Sequence, residues 1–118
     1  MPPAPYLDFV AWMDRAALVI TDSGGIQDET TYLGVPCLTF RDNTERQVTV
    51  THGTNRVVGT DPQKLAHEAA TLLHRKNGHS PRRSAGYQPP QLWDGHAAQR
   101  IVQTLRSFLC GRAAAKSA

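Results

Sequence analysis

The stretch Ala16-Ala17-Leu18-Val19-Ile20-Thr21-Asp22-Ser23-Gly24-Gly25-Ile26-Gln27-Asp28-Glu29 decides the fold. Its first five residues are apolar without alternation, which predicts a short strand buried on both faces, as in a parallel sheet. Two glycines then turn the chain into a helix from Ile26 to Leu33, which Gly34 and Pro36 close. Cys37-Leu38-Thr39-Phe40 supplies a second apolar run, and Arg56-Val57-Val58-Gly59 a third, weaker one. Strand, glycine turn, helix, strand is the order of a right-handed βαβ unit. The fold class read from this order is α/β, a partial Rossmann-like doubly wound parallel sheet with three short strands.

Working outward, Tyr6, Phe9, Val10, Met13 and Ala17 recur at helical steps and predict a helix from Tyr6 to Asp14. On the other side, Asp61 is an N-cap and Pro62 the first residue of a helix with the apolar face Leu65, Ala66, Ala69, Leu72 and Leu73. Residues 75–92 have no period and read as an exposed basic connection. Ala97, Ala98, Ile101, Val102, Leu105, Phe108 and Leu109 form one stripe of a last helix, expected to stop at Gly111. The expected organisation is one domain over residues 1–110 and a flexible tail over 111–118.

The chain has 118 residues, enough for one modest core. Its net charge of +3 is unevenly spread. Residues 1–74 hold five Lys/Arg against nine Asp/Glu, whereas residues 75–118 hold eight against one, Asp94. The longest aliphatic stretch, Ala16 to Ile20, is far below the ~20 residues that span a bilayer. The opening Met-Pro-Pro-Ala-Pro has no secretory pattern. Cys37 and Cys110 are too few for a disulfide framework or a zinc cluster. These features lead us to expect a cytoplasmic protein with no membrane partner, metal or cofactor.

The chemistry concentrates at Thr21–Glu29. A parallel strand feeding a helix through glycines puts the helix N-terminus at the carboxyl edge of the sheet, where open α/β sheets bind ligands. Unpaired amides and the helix dipole favour an anion there, and glycine lets a phosphate approach the backbone. Ser23 adds a hydroxyl donor. An acid such as Glu29 fits beside a phosphate only if it points past it, towards sugar hydroxyls. Phosphate donors plus a hydroxyl acceptor suit a nucleotide, while a plain tight turn fits these residues equally well. The loop Arg41-Asp42-Asn43-Thr44-Glu45-Arg46 follows the second strand onto the same edge, where an arginine neutralises phosphate or the cluster simply pairs with itself.

Taken together these segments resemble the C-terminal part of the non-hydrolysing UDP-N-acetylglucosamine 2-epimerases. Tyr6-Leu7-Asp8-Phe9, Thr21 to Glu29, Leu33-Gly34-Val35-Pro36, Arg41 to Arg46 and Gly53 to Asp61 occur in that family's order and spacing. Leu92-Trp93-Asp94-Gly95 and the last helix also fit, so the likeness spans about residues 5 to 109. The resemblance implies the C-terminal, UDP-binding lobe of a two-lobed glycosyltransferase-B-like fold. It also implies interconversion of UDP-GlcNAc and UDP-ManNAc by removal of the C2 proton as UDP leaves C1. Carried over by position, Ser23, Gly24 and Gly25 hold the diphosphate, Glu29 the ribose, Phe9 the uracil pocket and Arg46 the phosphate side of the cleft.

The departures carry expectations too. The family's acid/base carboxylates and active-site histidine have no counterpart in this sequence, so no residue is assigned a catalytic role. His52, His67, His74, His79 and His96 are read as surface residues. Asp28 stands where the family usually has Glu, and Gln47, where it usually has Pro, is expected to loosen a turn. The expected partners are UDP-GlcNAc or UDP, with a complementary N-terminal lobe or a second copy covering apolar surface left open. Without that lobe the chain is expected to be inactive. A glycosyltransferase lobe of the same architecture is the alternative. A second alternative is a non-enzymatic fragment that binds nucleic acid through the basic run with Arg75, Lys76, Arg82, Arg83 and Tyr87, but that run lacks a nucleic-acid motif and reads rather as a solvated connection.

Overall fold

The computed structural model describes residues 2–74 and 87–116. Helix α1 (Tyr6–Arg15) leads to strand β1 (Val19–Thr21), helix α2 (Gly24–Leu33) and strand β2 (Cys37–Thr39). A short helix α3 (Gln47–Thr51), strand β3 (Asn55–Val57), helix α4 (Pro62–His74) and helix α5 (Ala97–Lys116) complete the order. The strands form one parallel sheet in the order β1-β2-β3, with Val19 opposite Cys37 and Cys37 opposite Asn55. The parallel α/β class expected from the sequence is therefore present.

Strand β2 is central and wholly buried, as its apolar run requires. Strand β1 differs from expectation. It starts at Val19 because Ala16 still closes α1 through its N–H to Met13 O, and Val19 N–H is the first to bond across, to Pro36 O at 2.9 Å. It is also an edge strand, and Ile20 is 51% exposed rather than buried on both faces. The third strand falls one residue early, at Asn55–Val57, and Gly59 (φ +77°) leads the chain out of the sheet.

Helix α2 ends as read. Gly34 takes the left-handed conformation (φ 69°), and the N–H groups of Gly34 and Val35 reach Thr31 O and Thr30 O. Met13, Leu33 and Val35 form a core against which Phe9, Val10, Ala16, Val19 and Ile26 pack, so α1 is seated on α2. Asp61 caps α4, its Oδ1 accepting from Gln63 N–H at 2.9 Å.

Two further corrections concern the C-terminal part. Helix α5 continues through Gly111 to Lys116, since one interior glycine costs only about 1 kcal/mol against Ala. Of the connection expected to be exposed, residues 75–86 lie outside the described residues. In the rest, Gln88, Gln91 and Leu92 are exposed as read, but Tyr87 donates its hydroxyl to Thr31 O and Pro90 is buried. His52, His67, His74 and His96 are exposed, as read, and His79 lies outside the described residues.

Candidate functional site: the glycine turn and its cleft

The turn between β1 and α2 sits at the carboxyl end of the sheet. Ser23 is extended (ψ 128°) and serves as N-cap without a side-chain capping bond. Its own N–H donates to Thr21 Oγ1 at 3.0 Å, and the first helical bond runs from Gln27 N–H to Ser23 O at 3.3 Å. Between them, the amides of Gly24, Gly25 and Ile26 meet no acceptor among the described residues. Three unpaired donors at the positive end of a ten-residue helix form a cradle for an anion.

The loop after β2 closes over this cradle. A Cβ built on Gly24 would lie 2.7 Å from Glu45 Oε1 and 3.4 Å from Arg46 Nε, so the side chains of the loop reach up to the backbone at the start of α2. Arg46 Nε lies 3.4 Å from Asp28 Oδ2, and Arg41 pairs with Glu45 at 3.5 Å. The sequence brought Arg46 and the glycine turn to one edge, and the structure places them in contact range. The pairing of Arg46 with Asp28 was not read from the sequence.

What holds the loop there is a buried polar network. Gln27, Thr39, Thr49 and Asn55 are wholly or almost wholly buried. Gln27 Oε1 accepts from Thr44 Oγ1 at 2.6 Å and from Asn55 Nδ2 at 3.1 Å. Asn55 also donates to Thr49 Oγ1 (3.0 Å) and accepts from Thr39 Oγ1 (2.6 Å). Thr44 Oγ1 in turn accepts from Arg46 N–H at 3.0 Å, and Thr49 Oγ1 donates to Arg46 O at 2.7 Å. Both backbone groups of Arg46 are therefore fixed by side chains rooted in α2 and the sheet. Gln47 tightens this turn rather than loosening it: its Nε2 donates to Thr44 O at 2.7 Å as α3 begins. An amide side chain thus replaces by a hydrogen bond the rigidity a proline ring would give.

Beside the cradle lies an open cleft of about 780 Å³, a size ordinary for small-molecule sites. Glu29 and Arg46 line it together with Tyr6, Tyr32, Trp93 and Asp28. Tyr6 donates its hydroxyl to Glu29 Oε1 at 3.1 Å, and that bond and charge hold the phenol above its ordinary pKa. The α1 side chains on the cleft are Tyr6 and Val10, whereas Phe9 packs against the core. Ser23, the N-cap, and Gly24 and Gly25, which open α2 itself rather than forming a turn ahead of it, adjoin the cleft without lining it. Sequence reading missed Tyr32, Trp93, Gln27 and Thr44. A signal for Gln27 existed, since Gln27, Thr30 and Thr31 share one helical face and Asp28, Glu29 and Tyr32 the other.

Known proteins resemble this chain in sequence and fold. A family model described as UDP-N-acetylglucosamine 2-epimerase matches residues 1–106. The UDP-N-acetylglucosamine 2-epimerase of Escherichia coli K12 is 45% identical over 105 residues, 89% of this chain and 27% of its own. The crystal structure of UDP-GlcNAc 2-epimerase from Neisseria meningitidis bound to UDP-GlcNAc aligns with 91% of this chain and 28% of its own, at 32% identity and a TM-score of 0.75. That from Methanocaldococcus jannaschii, in complex with UDP-GlcNAc and UDP, gives 37% identity and a TM-score of 0.68 over 91% and 27%. The chain spans a little over a quarter of the length of the relatives it matches. Its α/β sheet is part of their glycosyltransferase-B-like fold. On the match over residues 1–106 and the agreement of the parallel fold, this chain belongs to the UDP-N-acetylglucosamine 2-epimerase family.

Proposed function

We propose that this chain binds the UDP portion of a UDP-sugar, and that in a complete protein it serves interconversion of UDP-GlcNAc and UDP-ManNAc. The reading is carried by the three unpaired amides of Gly24, Gly25 and Ile26 beside the guanidinium of Arg46. Ser23, Gly24 and Gly25 take the diphosphate, Arg46 its outer oxygens and Glu29 the ribose hydroxyls. By position Phe9, half-buried on α1 against the core, is assigned the inner wall of the uracil pocket. If UDP departs from C1 during epimerisation, charge builds on the diphosphate; the fixed amides stabilise that charge without reorganising, and Arg46 adds its positive charge.

Moving the C2 proton is a separate task that needs a base on one face and an acid on the other. The carboxylates on the cleft have other tasks: Asp28 pairs with Arg46, Glu45 with Arg41, and Glu29, which accepts from Tyr6 at one oxygen, is assigned to the ribose. We therefore assign none of them a proton-transfer role, and we propose that these 118 residues alone do not epimerise. A partner lobe supplies the acid and base.

The test is calorimetric titration of the chain with UDP, UMP and uridine. The expected affinity order is UDP over UMP over uridine, with Arg46→Ala losing roughly 1.5–3 kcal/mol for UDP, the worth of a hydrogen bond to a charged group. An Arg46→Ala chain that folds and binds UDP as tightly as the parent contradicts the proposal.

A further inference from the structure

We infer that Tyr6 is a positioning residue: its hydroxyl fixes the Glu29 carboxylate for a ribose hydroxyl and so makes the site select ribonucleotides over 2′-deoxyribonucleotides. The inference rests on the UDP reading above. Tyr6 and Glu29 lie on different helices, α1 and α2, and both line the cleft. The phenol donates to Oε1 at 3.1 Å, and Oε2 has no partner among the described residues. A glutamate tethered at one oxygen loses torsional freedom before a ligand arrives, which lowers the entropy cost of using the other.

The tyrosine itself is 65% exposed, so its ring adds little to the core. Core contact on the same helix comes from Phe9, Val10 and Met13. The nearby cation does not compete, because Arg46 pairs with Asp28. The hydroxyl of Tyr6 therefore has the Glu29 carboxylate as its one described contact, and orientation is the role left to it.

The experiment measures UDP and 2′-deoxy-UDP binding to the chain and to Tyr6→Phe and Glu29→Gln, with melting curves to confirm folding. The parent is expected to prefer UDP by about tenfold, the worth of one hydrogen bond to a charged group. Glu29→Gln should remove most of that preference. Tyr6→Phe should cut it to about threefold or less, weakening UDP more than 2′-deoxy-UDP.

The tyrosine titration gives a ligand-free readout. Glu29→Gln should return one tyrosine towards its ordinary value, because the hydrogen bond and charge of Glu29 are what raise Tyr6. A Tyr6→Phe chain with the full parental preference overturns the inference and leaves the UDP reading standing. A parent that binds UDP without ribose preference overturns both the Glu29 assignment and the inference. A parent that does not bind UDP at all overturns the UDP reading and this inference with it.

Discussion

Arg46, at the end of the loop after β2, reaches back to Asp28 in the second turn of α2, with Nε 3.4 Å from Oδ2. The guanidinium is thus held near the glycine turn by a carboxylate that a diphosphate must outcompete. Asp28→Asn should tighten UDP binding by about 0.5–1 kcal/mol, within the range of a partly exposed ion pair. The gain should shrink at high salt, where such charges are screened. Weaker binding by Asp28→Asn in calorimetry would mean that Asp28 steadies Arg46 rather than competing for it.

Gln27 is the centre of the polar network behind that loop. Replacing it by Leu keeps the size but leaves the Thr44 hydroxyl without its acceptor in a buried site. We predict a loss of about 1–3 kcal/mol in denaturant unfolding. Gln63→Leu, on the exposed first turn of α4, should stay within about 0.5 kcal/mol of the parent. Equal effects of the two substitutions would deny the network its role.

A pH response is expected at the start of α5. Asp94 Oδ1 accepts from His96 N–H at 3.0 Å, and its carboxylate receives two bonds from Arg100, at 2.9 and 3.0 Å. The Arg100 bonds, then the His96 amide, hold this carboxyl far below its ordinary value of 3.8. A group whose folded pKa is depressed favours the folded form in its charged state. Its contribution is complete above the ordinary value and declines as pH falls through the acid range towards the folded pKa. Helical circular dichroism should therefore drop with acid more steeply in the parent than in Asp94→Asn. The variant should already have the weaker α5 at neutral pH. Identical acid profiles would contradict this.

The apolar stripe of α5 predicts self-association. Ile101 is 58% exposed and Leu105 53% exposed, and edge strand β1 adds a half-exposed Ile20. Exposed apolar surface of this kind favours contact with another surface. Sedimentation of the isolated chain should show concentration-dependent oligomers, and Ile101→Lys with Leu105→Lys should shift it towards monomer. A parent chain monomeric at high concentration would refute the expectation.

The βαβ order was legible because apolar runs, glycines and prolines punctuate it unambiguously. The glycine turn and Arg46 were legible as sharing one edge for the same reason. The short helix α3 was not, since Gln47-Val48-Thr49-Val50-Thr51 has strand-like composition, and its helical form depends on Thr49 bonding back to Arg46 O. The polar core was hidden as well. Gln27 is buried and its Oε1 accepts from Thr44, 17 residues along the chain, whereas the buried Thr30 bonds back within its own helix to Ile26 O and Gln27 O. The contact of Tyr6 with Glu29 joins residues 23 apart, which no local pattern encodes.

The central claim is that the amides opening α2 are free to receive a diphosphate. The most direct measurement is a UDP titration followed by amide resonances of the labelled chain. The account predicts saturable shifts largest at Gly24, Gly25 and Ile26, absent with uridine and reduced in Arg46→Ala. Saturable UDP binding that leaves those three amides unmoved would contradict it.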